Sequence, residues 1–135
     1  MHKPWATLSL IVFIIVAAVL LVGYSRNEVQ RANDIRAAIR ATGGTPHRGK
    51  EKIRYYGCSS CHTIPGIQEA NGKVGPPLEA FAFRIYIAGE VPNTPDNLQH
   101  WIMNPHSIEQ HTAMPEMNVS DADSKDIAAY LYTLH

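Results

Sequence analysis

Residues Trp5 to Tyr24 read WATLSLIVFIIVAAVLLVGY, a run without one charged side chain. No other feature of this 135-residue chain limits its architecture as much. As an α-helix the run is about 30 Å long, the thickness of a hydrocarbon core. Trp5 and Tyr24 close its ends, where aromatic rings favour the lipid–water interface. A cleaved signal peptide would have a shorter apolar core and a small-residue cleavage site. The rest of the chain is too small to enclose a helix that is apolar on every side. Residues 1–24 are therefore expected to be a single-pass transmembrane anchor, leaving room for one compact domain.

Charge excludes one class of partner and leaves the topology in conflict. Lys+Arg and Asp+Glu both number 12, so there is no basic excess to bind nucleic acid. Lys3 alone precedes the apolar run, whereas Arg26, Arg31, Arg36 and Arg40 follow it. The positive-inside bias would put everything after the run in the cytoplasm. The cysteine chemistry below points the other way and carries a compartment requirement.

Residues 25–45 read as a helical stalk, with Val29, Ala32, Ile35 and Ile39 as a thin apolar stripe before Gly43-Gly44-Thr45-Pro46 breaks it. Residues 46–135 form the domain proper. A short helix over 46–57 has Gly49, Ile53 and Tyr56 at helical spacing. Pro65 to Pro95 shows no sustained period and reads as loop. Asp96 is the expected N-cap of a helix running to Asn104, before Pro105. Ser120 caps the last helix, whose Ile127, Tyr130, Leu131 and Leu134 share one face. The fold class expected is all-α, with three or four helices, long loops and no strands. So much irregular chain makes a poor core by itself. A large apolar cofactor serving as the core would resolve that difficulty.

The only two cysteines stand in Cys58-Ser59-Ser60-Cys61-His62. C-x-x-C-H is the attachment sequence for c-type haem. Each thiol adds across one vinyl group, and the following histidine ligates iron from below. A thioredoxin-like pair would need a strand–helix–strand setting. A zinc site would have to recruit His100, His106 or His111 at unusual spacing, and a plain disulfide is the third alternative. For a sixth iron ligand the candidates are Met103, Met114, Met117, His100, His106 and His111. Met103 sits in a helix beside Trp101 and suits packing, as Met117 also could. Met114 precedes Pro115, which holds the residue before it extended and fits a loop pressed on a ring face. His111 is the runner-up, since neutral imidazole also binds iron.

These residues resemble the class I c-type cytochromes. The resemblance covers residues 46–135 and rests on five features in order. They are Gly49 with Ile53, Cys58-Ser59-Ser60-Cys61-His62, Gly75-Pro76-Pro77-Leu78, Leu98-x-x-Trp101-Ile102-x-Asn104-Pro105 followed by Met114, and Ile127-Ala128-Ala129-Tyr130-Leu131. It implies a cytochrome c fold of three to four helices and long loops around one covalently bound haem c, with His62 and Met114 as axial ligands of the iron. It implies that Gly49 lets the first and last helices approach closely. The Pro76 carbonyl would accept a hydrogen bond from the second ring nitrogen of His62. Arg84 and Thr112 would meet the haem propionates, and Trp101 would pack against the ring.

One departure is a shortage of lysines: only Lys50, Lys52, Lys73 and Lys125 lie in the domain, so the basic docking ring of free carriers is missing. Another is Gly89 to Asp96, which has no assigned counterpart. The wording VGPPL, NTPDNLQHWI, TAMP and DIAAYLYTL is similar to small anchored cytochromes of aerobic bacteria that accompany terminal oxidases. The resemblance therefore implies a membrane-anchored single-electron carrier on the periplasmic side of the bacterial inner membrane. It would serve redox protein partners in a respiratory complex and would not be an enzyme with a small-molecule substrate. A haem-based peroxidase or gas sensor is the competing expectation, and it requires an exchangeable sixth ligand.

Overall fold

The computed structural model describes residues 4–135 and is mostly helical. Contacts divide the chain into a unit up to Asn33 and a second unit, Asp34–His135. Helix α1 runs from Pro4 to Thr42 and contributes to both. In the first unit it includes a stretch long and apolar enough to cross a membrane, with its side chains exposed throughout.

Within the second unit, the end of α1 packs through Ala38 and Thr42, four residues apart. The stripe expected from the sequence does not make this contact. Val29, Ile35 and Ile39 stay exposed. Gly43 at φ +71° ends the helix, its N–H reaching the Ile39 carbonyl at 2.9 Å. Gln99 Nε2 then donates to the Thr42 carbonyl at 3.3 Å.

Helix α2 (Pro46–Tyr55) starts on Pro46 and buries Gly49 and Ile53. Helix α5 (Asp121–Leu131) starts on Ser120, whose hydroxyl accepts from Asp123 N at 3.2 Å, with Asp121 and Asp123 in the first turn. The two helices meet at Gly49. A Cβ there would run into the Asp126 carbonyl and lie 3.0 Å from Tyr130 Cβ.

Helix α3 (Pro95–Met103) corrects one expectation. Thr94, not Asp96, is the N-cap, accepting from Asn97 N at 3.3 Å. Pro95 takes the first helical position and forces the residue before it to be extended, so the cap moves to Thr94 and Asp96 falls in the first turn. A single turn, α4 (Pro105–Ile108), follows.

The expected absence of strands is also corrected. β1 (Tyr86–Ile87) pairs antiparallel with β2 (Val91–Pro92), Tyr86 opposite Pro92 and Ile87 opposite Val91. Ala88 and Gly89, both at positive φ, make the turn. A ladder two residues long leaves no alternation for sequence reasoning to find.

Candidate haem site

The second unit encloses a cavity of about 770 Å³, in the upper part of the range typical for bound cofactors. Its wall is largely apolar. Helix α2 contributes Ile53, α3 contributes Leu98 and Ile102, and α5 contributes Ile127 and Leu131. Ile64, Leu78 and Phe81 come from the loops. The periodic apolar positions of the helices were legible in the sequence; the loop residues carried no such signal.

The cysteine segment forms one wall. Gly57, in the left-handed region at φ +70°, turns the chain out of α2 into a 3₁₀ turn over Cys58–Ser60. Cys61 N and His62 N both donate to the Cys58 carbonyl, at 3.2 and 3.0 Å. This turn presents Cys58, Cys61 and His62 to the same cavity. Both cysteines are free, and burial pushes the Cys58 thiol up, keeping it protonated and uncharged. Among the described residues no three His, Cys, Asp or Glu side chains are grouped to hold a metal ion. His100, His106 and His111 are absent from the cavity wall, so the zinc alternative is not assembled.

His62 is held from two sides. Its Nδ1 lies 2.8 Å from the Pro76 carbonyl, which can only accept. Nδ1 is therefore the donor, and in the neutral ring the lone pair lies on Nε2. Gly75 lies against the ring so closely that a Cβ would run into His62 Cε1. Gly75 N also donates to the Cys61 carbonyl at 2.9 Å, and Leu78 N to the Thr63 carbonyl at 2.8 Å. The sequence marked the Gly75-Pro76-Pro77-Leu78 motif but not why its first residue must lack a side chain.

All eight residues singled out from the sequence line this one cavity: Cys58, Cys61, His62, Pro76, Arg84, Trp101, Thr112 and Met114. Arg84 donates to the Pro77 carbonyl and lies 5.2 Å from the centre of the Phe81 ring. Thr112 Oγ1 accepts from Met114 N at 3.2 Å, a local turn that fixes where the methionine starts. Met114 is half-buried. Met103 instead packs against the hydrophobic core away from the cavity. Met117 does line the cavity, which sequence reasoning had left open.

The donor set fits an attached haem: two free thiols for the vinyl groups, an imidazole, a thioether and an apolar enclosure. A small helical domain of this build belongs in class with the haem-binding proteins. Residues 46–135 match the family model for cytochrome c, and the chain belongs to the cytochrome c family. The family implies a haem cofactor and electron transfer. Cytochrome c oxidase subunit 2 from Alkalihalophilus pseudofirmus is 33% identical over 89 residues. That match takes in 65% of this chain and 25% of the relative, so the chain corresponds to about a quarter of that protein. No solved structure matches the chain.

Proposed function

We propose that the chain is a membrane-anchored single-electron carrier. It comprises an anchor (1–24), a stalk (25–45) and a monohaem domain (46–135) on the periplasmic side of a bacterial inner membrane. The observation that carries this reading is the gathering of Cys58, Cys61, His62 and Met114 on the walls of one apolar cavity. A haem bound there supplies a one-electron ferrous–ferric couple. The chain's own part is to hold and tune. Cys58 and Cys61 attach the ring, and His62, oriented by Pro76 and Gly75, offers Nε2 to the iron. Met114 would offer its thioether to the iron, and the aliphatic wall would keep water away and raise the potential. Arg84 and Thr112 serve the propionates, and Trp101 packs on the ring. A site closed by two protein ligands suits electron transfer without a small-molecule substrate.

The likeness to an oxidase subunit supports a respiratory complex, such as a terminal oxidase, as the place where the electron is delivered. The arginines after the apolar run oppose a periplasmic domain, but haem attachment outside the cytoplasm outweighs that bias. Acid–acetone extraction followed by a reduced-minus-oxidised spectrum tests the reading. Haem bands that stay with the polypeptide, and a weak red-end band of methionine-ligated ferric iron, support it. Haem that extracts, or ferrous protein that binds carbon monoxide at once, sinks it. A reporter fused after Gly44 and active only in the cytoplasm would overturn the topology.

A further inference from the structure

Besides His62 and the two thiols, the soft iron-binding side chains on the cavity wall are Met114 and Met117. They differ in setting. Met114 is half-buried and tied by its N–H to Thr112, whereas Met117 is 40% exposed. Between Thr112 and Val119, which is buried, the backbone has neither helix nor strand. Asn118, at φ +53°, reverses the chain just before Val119 is pinned in the core. Three extended residues span at most about 10 Å, so Met114 and Met117 lie close along one segment of the cavity wall, each on a flexible thioether chain.

We propose that Met117 is a reserve axial ligand, occupying the iron position when Met114 is displaced. This rests on the axial assignment of Met114 made above. One iron–sulfur bond breaks and another forms. Both ligands are neutral thioethers, so no proton or electron moves. The protein would then keep a closed six-coordinate site through excursions of the loop.

The test compares ferric spectra of the full-length holoprotein with those of Met114→Ala, Met117→Ala and the double variant. The red-end band should persist in Met114→Ala and in Met117→Ala, and be lost in the double variant with conversion to a high-spin form. Carbon monoxide affinity of the ferrous form should be at least tenfold weaker in Met114→Ala than in the double variant. A high-spin Met114→Ala, indistinguishable from the double variant, overturns the proposal. So does a band that Met117→Ala alone removes, which would make Met117 the resident ligand. A wild type with covalent haem but no such band fails at the axial assignment itself, and the reserve role falls with it. If Met114→Ala does not accumulate, imidazole binding to the ferric protein decides. Met117→Ala should bind it at least threefold more tightly than wild type, and equal affinity overturns the proposal.

Discussion

The two halves of the cavity wall are held by different means. The terminal helices α2 and α5 grip each other directly. Asp126, buried on α5, accepts from Thr45 N at 2.6 Å and from Arg48 Nε and an Arg48 terminal nitrogen at 2.7 and 2.9 Å. Asp123 accepts from the Tyr56 hydroxyl at 2.8 Å and pairs with Lys52 at 3.0 Å. The stretch from Gly57 to Val119 is tied mostly within its own loops, as by Asn93 Nδ2 donating to the Phe81 and Arg84 carbonyls, and meets the C-terminal end through Tyr130 Oη on the Pro65 carbonyl and Tyr132 Oη on Asn93 Oδ1. Short turns, one two-residue ladder and two short helices curve around the cavity. The first half is a scaffold stabilised by protein against protein; the second closes around what the cavity holds. The difference predicts that damage to one half will read out differently from damage to the other.

Removing the thiols should have the largest effect. Cys58→Ala with Cys61→Ala should abolish the proposed covalent attachment and so leave the cavity without its core. The domain should fail to fold cooperatively, and limited proteolysis should cut first between residues 57 and 119. Equal protection of that stretch in the variant and wild type would show that the loops do not depend on the cofactor.

Glycine substitutions should separate the halves more finely. Gly49→Val drives a side chain into the Asp126 carbonyl and towards Tyr130. It should cost about 3 kcal/mol or more, seen as a large fall in thermal midpoint. Gly75→Ala instead meets the His62 imidazole. It should change the haem spectrum and potential more than it changes the midpoint, because the helix pair is untouched. A Gly75→Ala protein with a wild-type spectrum would remove Gly75 from the positioning of His62.

The scaffold also carries a pH signature. Burial would raise the Asp126 carboxyl, but the hydrogen bonds from Arg48 and Thr45 outweigh it and hold it below the usual carboxylate range. Asp123 is held low as well, by the Tyr56 hydroxyl and by Lys52. A carboxyl with a lowered folded pKa contributes stability above its unfolded value of about 3.9. That contribution is lost as pH falls below this value and through the folded one. Asp126→Asn should therefore cost about 1–2 kcal/mol at neutral pH, and urea titrations should show the difference shrinking below pH 4. A difference that stays constant down to pH 2 would mean that packing, and not ionisation, is what Asp126 supplies.

Much of this was legible in the sequence, unevenly between the halves. The helix pair announced itself through Gly49, Ile53 and the Ile127/Tyr130/Leu131 face, because helical packing leaves a period of 3.6. Cys58, Cys61 and His62 stood out by the C-x-x-C-H spacing alone, and all three reach the cavity wall. The resemblance also singled out Pro76, Arg84, Trp101, Thr112 and Met114, which line the same cavity. Nothing periodic marks Phe81 or Tyr86, and the Thr94 cap was hidden by an acidic residue two places on. Long-range polar ties such as Arg48–Asp126 and Tyr130–Pro65 join residues 78 and 65 positions apart, which no local pattern records. That uneven legibility follows the same division: direct helix contact leaves a pattern, and closure around a guest does not.

The smallest expected effect lies inside the wrap and tests how tightly it fixes its chemistry. Thr112→Val keeps the shape of the side chain and removes the hydroxyl that accepts from Met114 N. The bond lies in a partly exposed turn where water can replace it, so the stability cost should be only about 0.5–1 kcal/mol. Its consequence for the iron should be disproportionate. Without the turn, the start of the methionine segment loses its fixed direction, and Met114 should leave the iron more often. Imidazole should then bind the ferric variant several-fold more tightly while the thermal midpoint scarcely moves. In Tyr56→Phe, which cuts a bond of the scaffold instead, the midpoint should fall and imidazole affinity should hold. If both variants shift both quantities in the same proportion, the halves are one cooperative structure and the division between scaffold and wrap is wrong.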